Sequence, residues 1–343
     1  MRPIKPRSCK VFAENLDCSL PKRKQILGDS GSTPFSAAVM NRPRIRTFSL
    51  HCRERFGQAV GKIPLDLGIT CPNRSKGGCL YCCPASFTPF SLRATDPIDE
   101  QIRRGKQYLL RNRFTRYFGY FQQETATAMA TARLLPILAQ VLEDPDCLGL
   151  ILSTRPDAIA ADLPGALANL VDQTSKECLI ELGLQSIHPA SLRLLNRNHS
   201  YQDFLAAARR IQAVGNLQLG VHLILGIPGE AETDMLTTVQ TVGNLGVQAL
   251  KLHHLQVIRD TPLNTLYEQG SVAVFSRAEY LELLLRLLPH IPAKITLHRL
   301  WSTAHPNLLV APRWQSLTGA LSKELQRLMT ERDIWQGQQA NSK

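Results

Sequence analysis

The sequence predicts an α/β fold built on a parallel sheet, either a barrel or a doubly wound sheet. Short apolar runs typical of buried strands alternate with segments of helical periodicity, and the pattern recurs about every thirty to forty residues over six units. The chain has 343 residues, of which 44% are apolar and 20% charged, so it is neither wholly disordered nor collagen-like. That length fits two ordinary domains or one large barrel.

Six strands are predicted, each a short apolar run without the charges of a surface segment. They cover residues 63–67, 116–121, 148–153, 179–184, 218–225 and 249–257. Helical periods between them cover residues 98–110, 132–142, 163–171, 201–214 and 235–245. The helix at 201–214 has the clearest limits, because Ser200 and Asp203 form a capping-box pattern before it and Gly215 follows it.

The two ends of the chain differ from this pattern. Residues 1–44 mix Pro, Ser, Gly and basic residues with little apolar periodicity, which predicts a flexible basic extension. Residues 293–343 follow a helix at 277–288 and combine an apolar run at 293–300 with an amphipathic helix at 317–329. We interpret them as a small C-terminal α/β cap, so the α/β core covers residues 45–292.

The net charge of +12 does not by itself predict a nucleic-acid partner. The first 50 residues hold ten Lys or Arg against three acidic residues, so most of the excess lies in the extension. No stretch approaches the roughly 18 consecutive apolar residues of a spanning helix, and the N-terminus lacks the apolar core of a secretory signal. We therefore expect a cytoplasmic protein with no membrane partner.

Four of the nine cysteines lie in the loop that follows the first predicted strand, between Cys71 and Cys83. In a parallel barrel, loops at the carboxyl ends of strands carry the chemistry. Cys71 and Cys79, with Cys82 or Cys83 as a third thiol, suit a soft-metal site such as an iron–sulfur cluster or zinc. Three ligands with an open fourth position fit better than structural zinc, since no second cysteine or histidine pair lies at zinc-ribbon spacing.

Several motifs resemble the YhcC-like family of radical S-adenosylmethionine (SAM) proteins, which is related to the catalytic subunit of elongator. The first is the block from Phe56 to Cys82, and further blocks follow in order, so that the resemblance covers residues 44–338. They are Tyr120-Phe121-Gln122, Ser153-Thr154-Arg155-Pro156-Asp157, Glu181-Leu182-Gly183-Leu184-Gln185-Ser186, Leu195-Asn196-Arg197-Asn198-His199, the run from Gly220 to Glu230, and Lys251-Leu252-His253. The chain departs from the family in a shorter gap between Cys71 and Cys79.

The resemblance implies a partial (β/α)6 TIM-type barrel of the radical SAM type. By similarity, Cys71, Cys79 and Cys82 hold three irons of a [4Fe–4S] cluster, the fourth iron binds SAM, and Cys83 is a bystander. The implied activity is reductive cleavage of SAM to a 5′-deoxyadenosyl radical, with electrons from a low-potential donor such as a ferredoxin or a flavodoxin. No catalytic residue is identified. The candidate cofactor-binding residues are Gln122, Gln185, Arg197, His222 and Gly226.

These candidates also have structural explanations. A hydrogen bond between elements would account for Gln185 and Arg197, and a buried core histidine for His222. A strand-to-helix turn would account for Gly226. Arg155 and Glu181, at predicted strand ends, are explained by salt bridges inside the barrel.

The substrate is less well defined by the sequence. Basic residues alternate with aromatic ones over residues 93–121, a combination that RNA surfaces use. Acidic residues offset that charge, however, and most of the aromatic residues fit the core of the second strand. Similarity to the elongator subunit, which acts on tRNA wobble uridine, supports tRNA modification. The alternatives are the same chemistry on a small metabolite or peptide, and a non-catalytic iron–sulfur or zinc module that binds nucleic acid.

Overall fold

A computed structural model describes residues 43–111 and 113–340, and nine strands lie within those ranges. They are β1 Gly61–Pro64, β2 Tyr117–Phe121, β3 Cys147–Thr154, β4 Glu177–Gln185, β5 Gln218–Leu225, β6 Ala249–His254, β7 Val257–Ile258, β8 Thr296–Arg299 and β9 Leu309–Ala311. Seven of them form one parallel sheet in the order β1-β2-β3-β4-β5-β6-β8, and β7 pairs with β9 antiparallel. Each strand of the main sheet thus lies beside its neighbour in the chain, as in a barrel.

The sheet curls so that its two edges approach each other. The Lys62 Nζ on β1 lies 3.5 Å from the His298 Nδ1 on β8, and Thr47 forms a single parallel bridge with Leu297. A partial barrel of the predicted type is therefore confirmed. No helix of the described residues is long and apolar enough to cross a membrane.

One element of the prediction was wrong. The apolar run at 293–300, which we assigned to the cap, contains β8, the seventh strand of the sheet. Its Ile295 and Leu297 are almost fully buried, and β8 pairs with the free edge of β6. Pairing satisfies backbone groups that an open edge would leave exposed. The boundary between core and cap at residue 292 stays a prediction, and the proposed extension up to residue 42 lies outside the described residues.

Ten α-helices occur in the part of the chain that the structure describes. They are α1 Phe48–Phe56, α2 Ile98–Gly105, α3 Thr131–Glu143, α4 Leu163–Thr174, α5 Pro189–Leu194, α6 Tyr201–Gln212, α7 Glu232–Gly243, α8 Pro262–Glu268, α9 Arg277–Leu287 and α10 Thr318–Glu331. The predicted helices at 98–110, 132–142, 163–171, 201–214 and 235–245 correspond to α2, α3, α4, α6 and α7, and the capping box of Ser200 and Asp203 is formed. Sequence periodicity missed α5 and α8, which are too short to show a clear apolar face, and α1, which buries Cys52 alone and so lacks an apolar stripe.

Alternation along the strands separates two environments. On β4, Ile180 and Leu182 belong to the main apolar core with residues of the outer helices, while Leu179 and Glu181 face the other way. Leu179 packs in a small apolar cluster with Ile151 on β3, near the amino ends of the strands. Glu181 lies further along β4, where the barrel interior becomes polar. The polar groups are thus concentrated near the carboxyl ends of the strands.

Candidate active site

A cavity of about 240 Å³ lies at the carboxyl ends of the strands. Most of the predicted site residues line it, namely Cys71, Cys79, Cys82, Gln122, Gln185, Arg197 and His222. Gly226 is not among the lining residues. Its φ is 85°, and a Cβ there would lie 2.6 Å from the ring of Phe275, so packing explains its position. The roles of all eight residues as ligands stay predictions.

The cysteine loop connects β1 to α2 and folds back on itself. After a short 3-10 turn at Pro72–Lys76, Gly77 and Gly78 adopt left-handed φ values of 88° and 72°, which glycine accommodates at low cost. The Cys71 N–H donates to Glu124 Oε2 (3.0 Å), and Arg74 forms a two-point ion pair with the same carboxylate. The loop is therefore anchored to the segment that follows β2.

Cys79 is the most buried thiol of the loop, with 8% exposure. Its Sγ accepts hydrogen bonds from Asn73 Nδ2 and Arg197 Nη1, both at 3.2 Å. Two N–H donors on one sulfur favour a thiolate, which is the form that binds metal. Burial and the neighbouring Cys79 raise the pKa of the Cys82 thiol to about 12, so iron binding there would have to displace a firmly held proton.

The donor set fits an iron–sulfur cluster. Four thiols line one cavity, those of Cys71, Cys79, Cys82 and Cys83, and that of Cys79 already receives the N–H donors that tune cluster sulfurs. Within the described ranges, no three Cys, His, Asp or Glu side chains are grouped closely enough to share a single metal ion. A [4Fe–4S] cluster does not require such a group, because each thiolate binds a different iron.

Arg197 joins the cysteine loop to the sheet. Its Nη1 donates to Cys79 Sγ and to the Tyr81 hydroxyl, its Nη2 donates to the Gly183 carbonyl (2.6 Å), and its Nε donates to His199 Nε2. A guanidinium carries five N–H donors, so these contacts leave one for a cofactor. The expected hydrogen bond between elements is thus present.

Gly183 makes room for this arrangement. A Cβ at this position would lie 2.9 Å from Gln185 Nε2 and 3.1 Å from Arg197 Nη2. Gln185 ends β4 with φ at 77°, a left-handed conformation that is costly for a residue with a side chain. Two candidate cofactor residues are therefore held side by side over a glycine.

Sequence reasoning missed Asn73 and Glu124. Asn73 lies inside the family-like block from Phe56 to Cys82, but nothing in a single sequence shows that its amide contacts Cys79. Glu124 follows Gln122 by two residues, and its partner Arg74 lies 50 positions earlier in the chain. Only the fold brings them together.

Below the cysteine loop, the barrel interior holds a polar network around Glu181. Its Oε2 accepts from Ser153 Oγ (2.7 Å), from His222 Nε2 (3.0 Å) and from Lys251 Nζ (2.5 Å). Its Oε1 lies 3.2 Å from His298 Nδ1. The expected interior salt bridge of Glu181 is present, with Lys251 as the partner, and that of Arg155 is present with Asp157 (2.9 Å).

Burial and neighbouring charges shift the pKa values of the groups in this network. Burial lowers the pKa of His222 to about 4 and of His298 to about 3, so both imidazoles are neutral at pH 7. Burial lowers the pKa of Lys251 to about 8, and burial and the neighbouring Lys251 lower the pKa of Lys62 to about 7. Burial opposes ionisation of Glu181, but Lys251 and His222 outweigh it and hold its pKa well below the usual range.

In the basic and aromatic segment, residues 93–121, some side chains lie in the core and others on the surface. Tyr117, Phe118 and Tyr120 are buried in the barrel, as the core interpretation predicted. Arg103 forms an ion pair with Glu100 (2.6 Å), so acidic residues do offset part of the charge.

Comparisons of sequence and structure identify proteins that are similar to this chain. The Radical SAM superfamily matches residues 67–242, and the Radical_SAM C-terminal domain matches residues 247–329. Protein YhcC of Escherichia coli is 30% identical over 294 residues, which are 84% of this chain and 94% of YhcC. The tRNA uridine(34) acetyltransferase of Methanocaldococcus infernus is 27% identical over 141 residues, 40% of this chain and 25% of that protein. The solved structure of the archaeal Methanocaldococcus infernus Elp3 with an N-terminal deletion has the same fold, with a TM-score of 0.61 at 17% identity over 81% of this chain and 64% of Elp3.

Proposed function

The chain belongs to the radical SAM superfamily, as an enzyme that binds a [4Fe–4S] cluster and S-adenosylmethionine, and we propose that it cleaves SAM reductively to modify an RNA. The observation that carries the proposal is the group of cysteine thiols on one cavity, with two N–H donors on Cys79 Sγ. When bound and reduced, the cluster supplies one electron that breaks a carbon–sulfur bond of SAM and releases a 5′-deoxyadenosyl radical. That electron comes from a low-potential donor of the ferredoxin or flavodoxin class.

In this proposal, Cys71, Cys79 and Cys82 each bind one iron. Asn73 and Arg197 hold the Cys79 sulfur in place and favour its thiolate form, since N–H donors stabilise the charged sulfur. The anchoring of the Cys71 backbone to Glu124 fixes the first ligand in the same way.

A second set of residues, which shares Arg197 with the cluster site, would position SAM. Gln185 and the remaining N–H of Arg197 lie over Gly183, where they would contact the carboxylate and ribose of the cofactor. Gln122 and His222 line the cavity from β2 and β5 and would contact SAM from the other side. Placing the cofactor inside the barrel excludes water from the reactive carbon.

An exposed aromatic and basic surface, formed by residues between the cysteine loop and β2, supports an RNA substrate. Phe90 and Tyr108 form an edge-to-face pair with ring centroids 5.7 Å apart, and Phe90 is 74% exposed. Arg93, Arg111 and Arg113 are also exposed, and none has a carboxylate partner among the described residues. Exposed aromatic rings stack on bases, and free guanidinium groups bind phosphates. The similarity to a tRNA uridine(34) acetyltransferase favours tRNA.

The first test is anaerobic reconstitution with iron and sulfide, followed by reduction with dithionite in the presence of SAM. The wild type is expected to form 5′-deoxyadenosine and the Cys79→Ala variant to form none. Iron content and cluster absorption are measured in parallel, where Cys83→Ala is the matched control and is expected to retain the cluster. Absence of 5′-deoxyadenosine from the wild type, both alone and with added tRNA, would contradict reductive cleavage. Loss of the cluster from Cys83→Ala but not from Cys82→Ala would overturn the ligand assignment.

The RNA part is tested by the binding of unmodified tRNA at increasing KCl concentrations. Each phosphate contact contributes about −0.7 to −0.9 to the slope of log K against log [salt], so Arg93→Gln and Arg113→Gln should each flatten the slope by about that amount. Arg133→Gln, which removes an exposed arginine of α3, is the control and should leave the slope unchanged. Binding that is equally strong in both Arg93→Gln and the wild type at every salt concentration would refute the RNA surface and favour a small metabolite or peptide.

A further inference from the structure

Arg299 lies at the carboxyl end of β8, whereas Gln185 ends β4. It pairs in the sheet with Lys251 on β6, and its side chain lines the cavity together with His222 and His253. Burial lowers the pKa of His253 and His222, and the charge of Arg299 lowers both further.

The guanidinium of Arg299 has no ion-pair or hydrogen-bond partner in residues 43–111 and 113–340, and it is half-buried. Two other cations line the cavity: Arg197 contacts the cysteine loop, and Arg155 pairs with Asp157, although the Arg155 Nη1 has no hydrogen bond within the described residues. Lys251, which does not line the cavity, pairs with Glu181. A partly buried arginine without a partner is unusual, because its desolvation is not compensated.

The charge around Arg299 is unbalanced. Glu181 is the one carboxylate of the interior network among the described residues, and it already pairs with Lys251. Arg299 adds a full positive charge and Lys62, whose pKa burial and Lys251 lower to about 7, adds a partial one, while the surrounding histidines are neutral at pH 7. A second group also lacks a partner: His253 lines the cavity, its Nδ1 lies 3.1 Å from Ser302 Oγ, and its Nε2 has no hydrogen bond within the described ranges. Unsatisfied buried nitrogens are rare in native proteins.

We propose that Arg299 binds an oxyanion of the substrate, a phosphate or a carboxylate, at the base of the cavity. The proposal rests on the proposed function, because it assigns the substrate group that the same cavity recognises. An oxyanion here completes the missing ion pair, and a guanidinium binds either group through two parallel N–H donors. A nucleotide turned into the cavity would supply the phosphate, and a small metabolite would supply the carboxylate.

The position argues against a role of Arg299 in holding SAM. SAM also carries a carboxylate, but the residues proposed for it, Gln185 and Arg197, lie together over Gly183 on β4 and next to the cysteine loop. Arg299 is on β8, separated from β4 by β5 and β6 in the sheet, and it forms no hydrogen bond or ion pair with that loop within the described residues. The two guanidinium groups are therefore carried by different strands of the cavity wall.

The test uses the reconstituted holoenzyme with SAM bound and no reductant, so that no turnover occurs. Inorganic phosphate and acetate are titrated separately at constant ionic strength, and binding is followed by broadening of the ³¹P or ¹³C resonance. Wild type is expected to bind at least one probe saturably, and Arg299→Gln to bind it at least about tenfold more weakly. Arg133→Gln is the matched control, an exposed arginine outside the cavity, and should bind like the wild type. Arg299→Lys keeps the charge without the planar fork and should bind with intermediate affinity.

Phosphate binding without acetate binding would assign a phosphorylated substrate, the reverse would assign a carboxylate, and binding of both at Arg299 supports the general oxyanion site. Failure of both probes to bind wild type, or equal binding by wild type and Arg299→Gln, would overturn the proposal. So would a fall in SAM affinity in Arg299→Gln that matches the loss of the probe, because it would assign the residue to the cofactor. If Arg299→Gln does not fold, as judged by circular dichroism, the proposal is tested with Arg299→Lys instead. An affinity of this variant for the probe equal to that of the wild type would count against a site with two parallel N–H donors. Because these titrations involve no SAM cleavage, a failure of the proposed reaction remains distinguishable from a failure of this site.

Discussion

Removal of Lys251 is expected to destabilise the fold strongly, because it leaves the Glu181 carboxylate without its closest cation. The Lys251 Nζ lies 2.5 Å from Glu181 Oε2, and the two side chains are only 3% and 1% exposed. Breaking a buried ion pair from one side typically costs about 3–5 kcal/mol. Lys62 is a second cation near the same carboxylate, so we expect Lys251→Met to lower the free energy of unfolding by about 3 kcal/mol, the lower end of that range.

The assay is urea unfolding of the cluster-free chain under anaerobic conditions at pH 7, followed by circular dichroism. The double variant Glu181→Gln/Lys251→Met carries neither charge, and its amide offers an acceptor to one of His222 and His298 and a donor to the other. It should therefore be more stable than Lys251→Met alone by about 1–2 kcal/mol. A loss below about 1 kcal/mol for Lys251→Met, or simple additivity of the two single variants, would refute the reasoning that Glu181 is held as a buried anion.

The pH dependence has a definite sign. Lys251 and His222 hold the native pKa of Glu181 below its ordinary value of 4.5, so the stabilisation is fully present above pH 4.5 and is lost as the pH falls through the lower native value. In Lys251→Met, burial acts with less opposition and raises this pKa, so Glu181 can take up a proton in the native state. The stability difference between wild type and variant should thus be smaller at pH 5 than at pH 7.

Three further substitutions test other parts of the structure. Gly183→Ala places a methyl group 2.9 Å from Gln185 Nε2. The affinity for SAM, measured by equilibrium dialysis, should therefore fall about tenfold, a loss of about 1.4 kcal/mol in binding free energy. The control is Gly165→Ala in α4, where the new methyl group has no atom within 4 Å, and this variant should bind SAM normally. In Gly226→Ala, the added Cβ would lie 2.6 Å from the ring of Phe275, and residue 226 would have to keep a φ of 85°. The free energy of unfolding should therefore drop by about 1–3 kcal/mol. An unchanged urea midpoint would contradict the packing explanation. Ser200→Ala removes the side-chain acceptor for the Asp203 N–H at the start of α6 and should cost about 1 kcal/mol in the same assay, whereas no change would show that the cap contributes little.

The fold class could be predicted because its signals are local. Each of the six predicted strands was recognised from its own apolar run, and α6 from its cap, since burial and hydrogen bonding there involve residues close in the chain. β8 was misassigned because nothing local separates a sheet strand from an apolar run in a cap. Its assignment depends on the exposed edge of β6, which the chain reaches 42 residues earlier.

The residues of the candidate site also differ in whether the sequence alone reveals them. Cys71 and Cys79, with Cys82 or Cys83, are recognisable as candidate ligands from their spacing, because the ligands of one cluster can come from one loop, and the family resemblance favours Cys82. Glu124, Lys62 and Arg299 carry no such signal. Each meets its neighbours only through the register and curl of the sheet.

The sequence by itself determined the alternation of strands and helices, the thiol-rich loop after the first strand and the family resemblance. Only the tertiary structure decided which polar groups share the cavity, that Arg197 donates to the cysteine loop, the sheet and His199, and that Arg299 has no partner within the described residues. The physical reason is that periodicity fixes which face of an element a side chain occupies, whereas the distances between faces, and the desolvation that follows, depend on how all seven strands pack together.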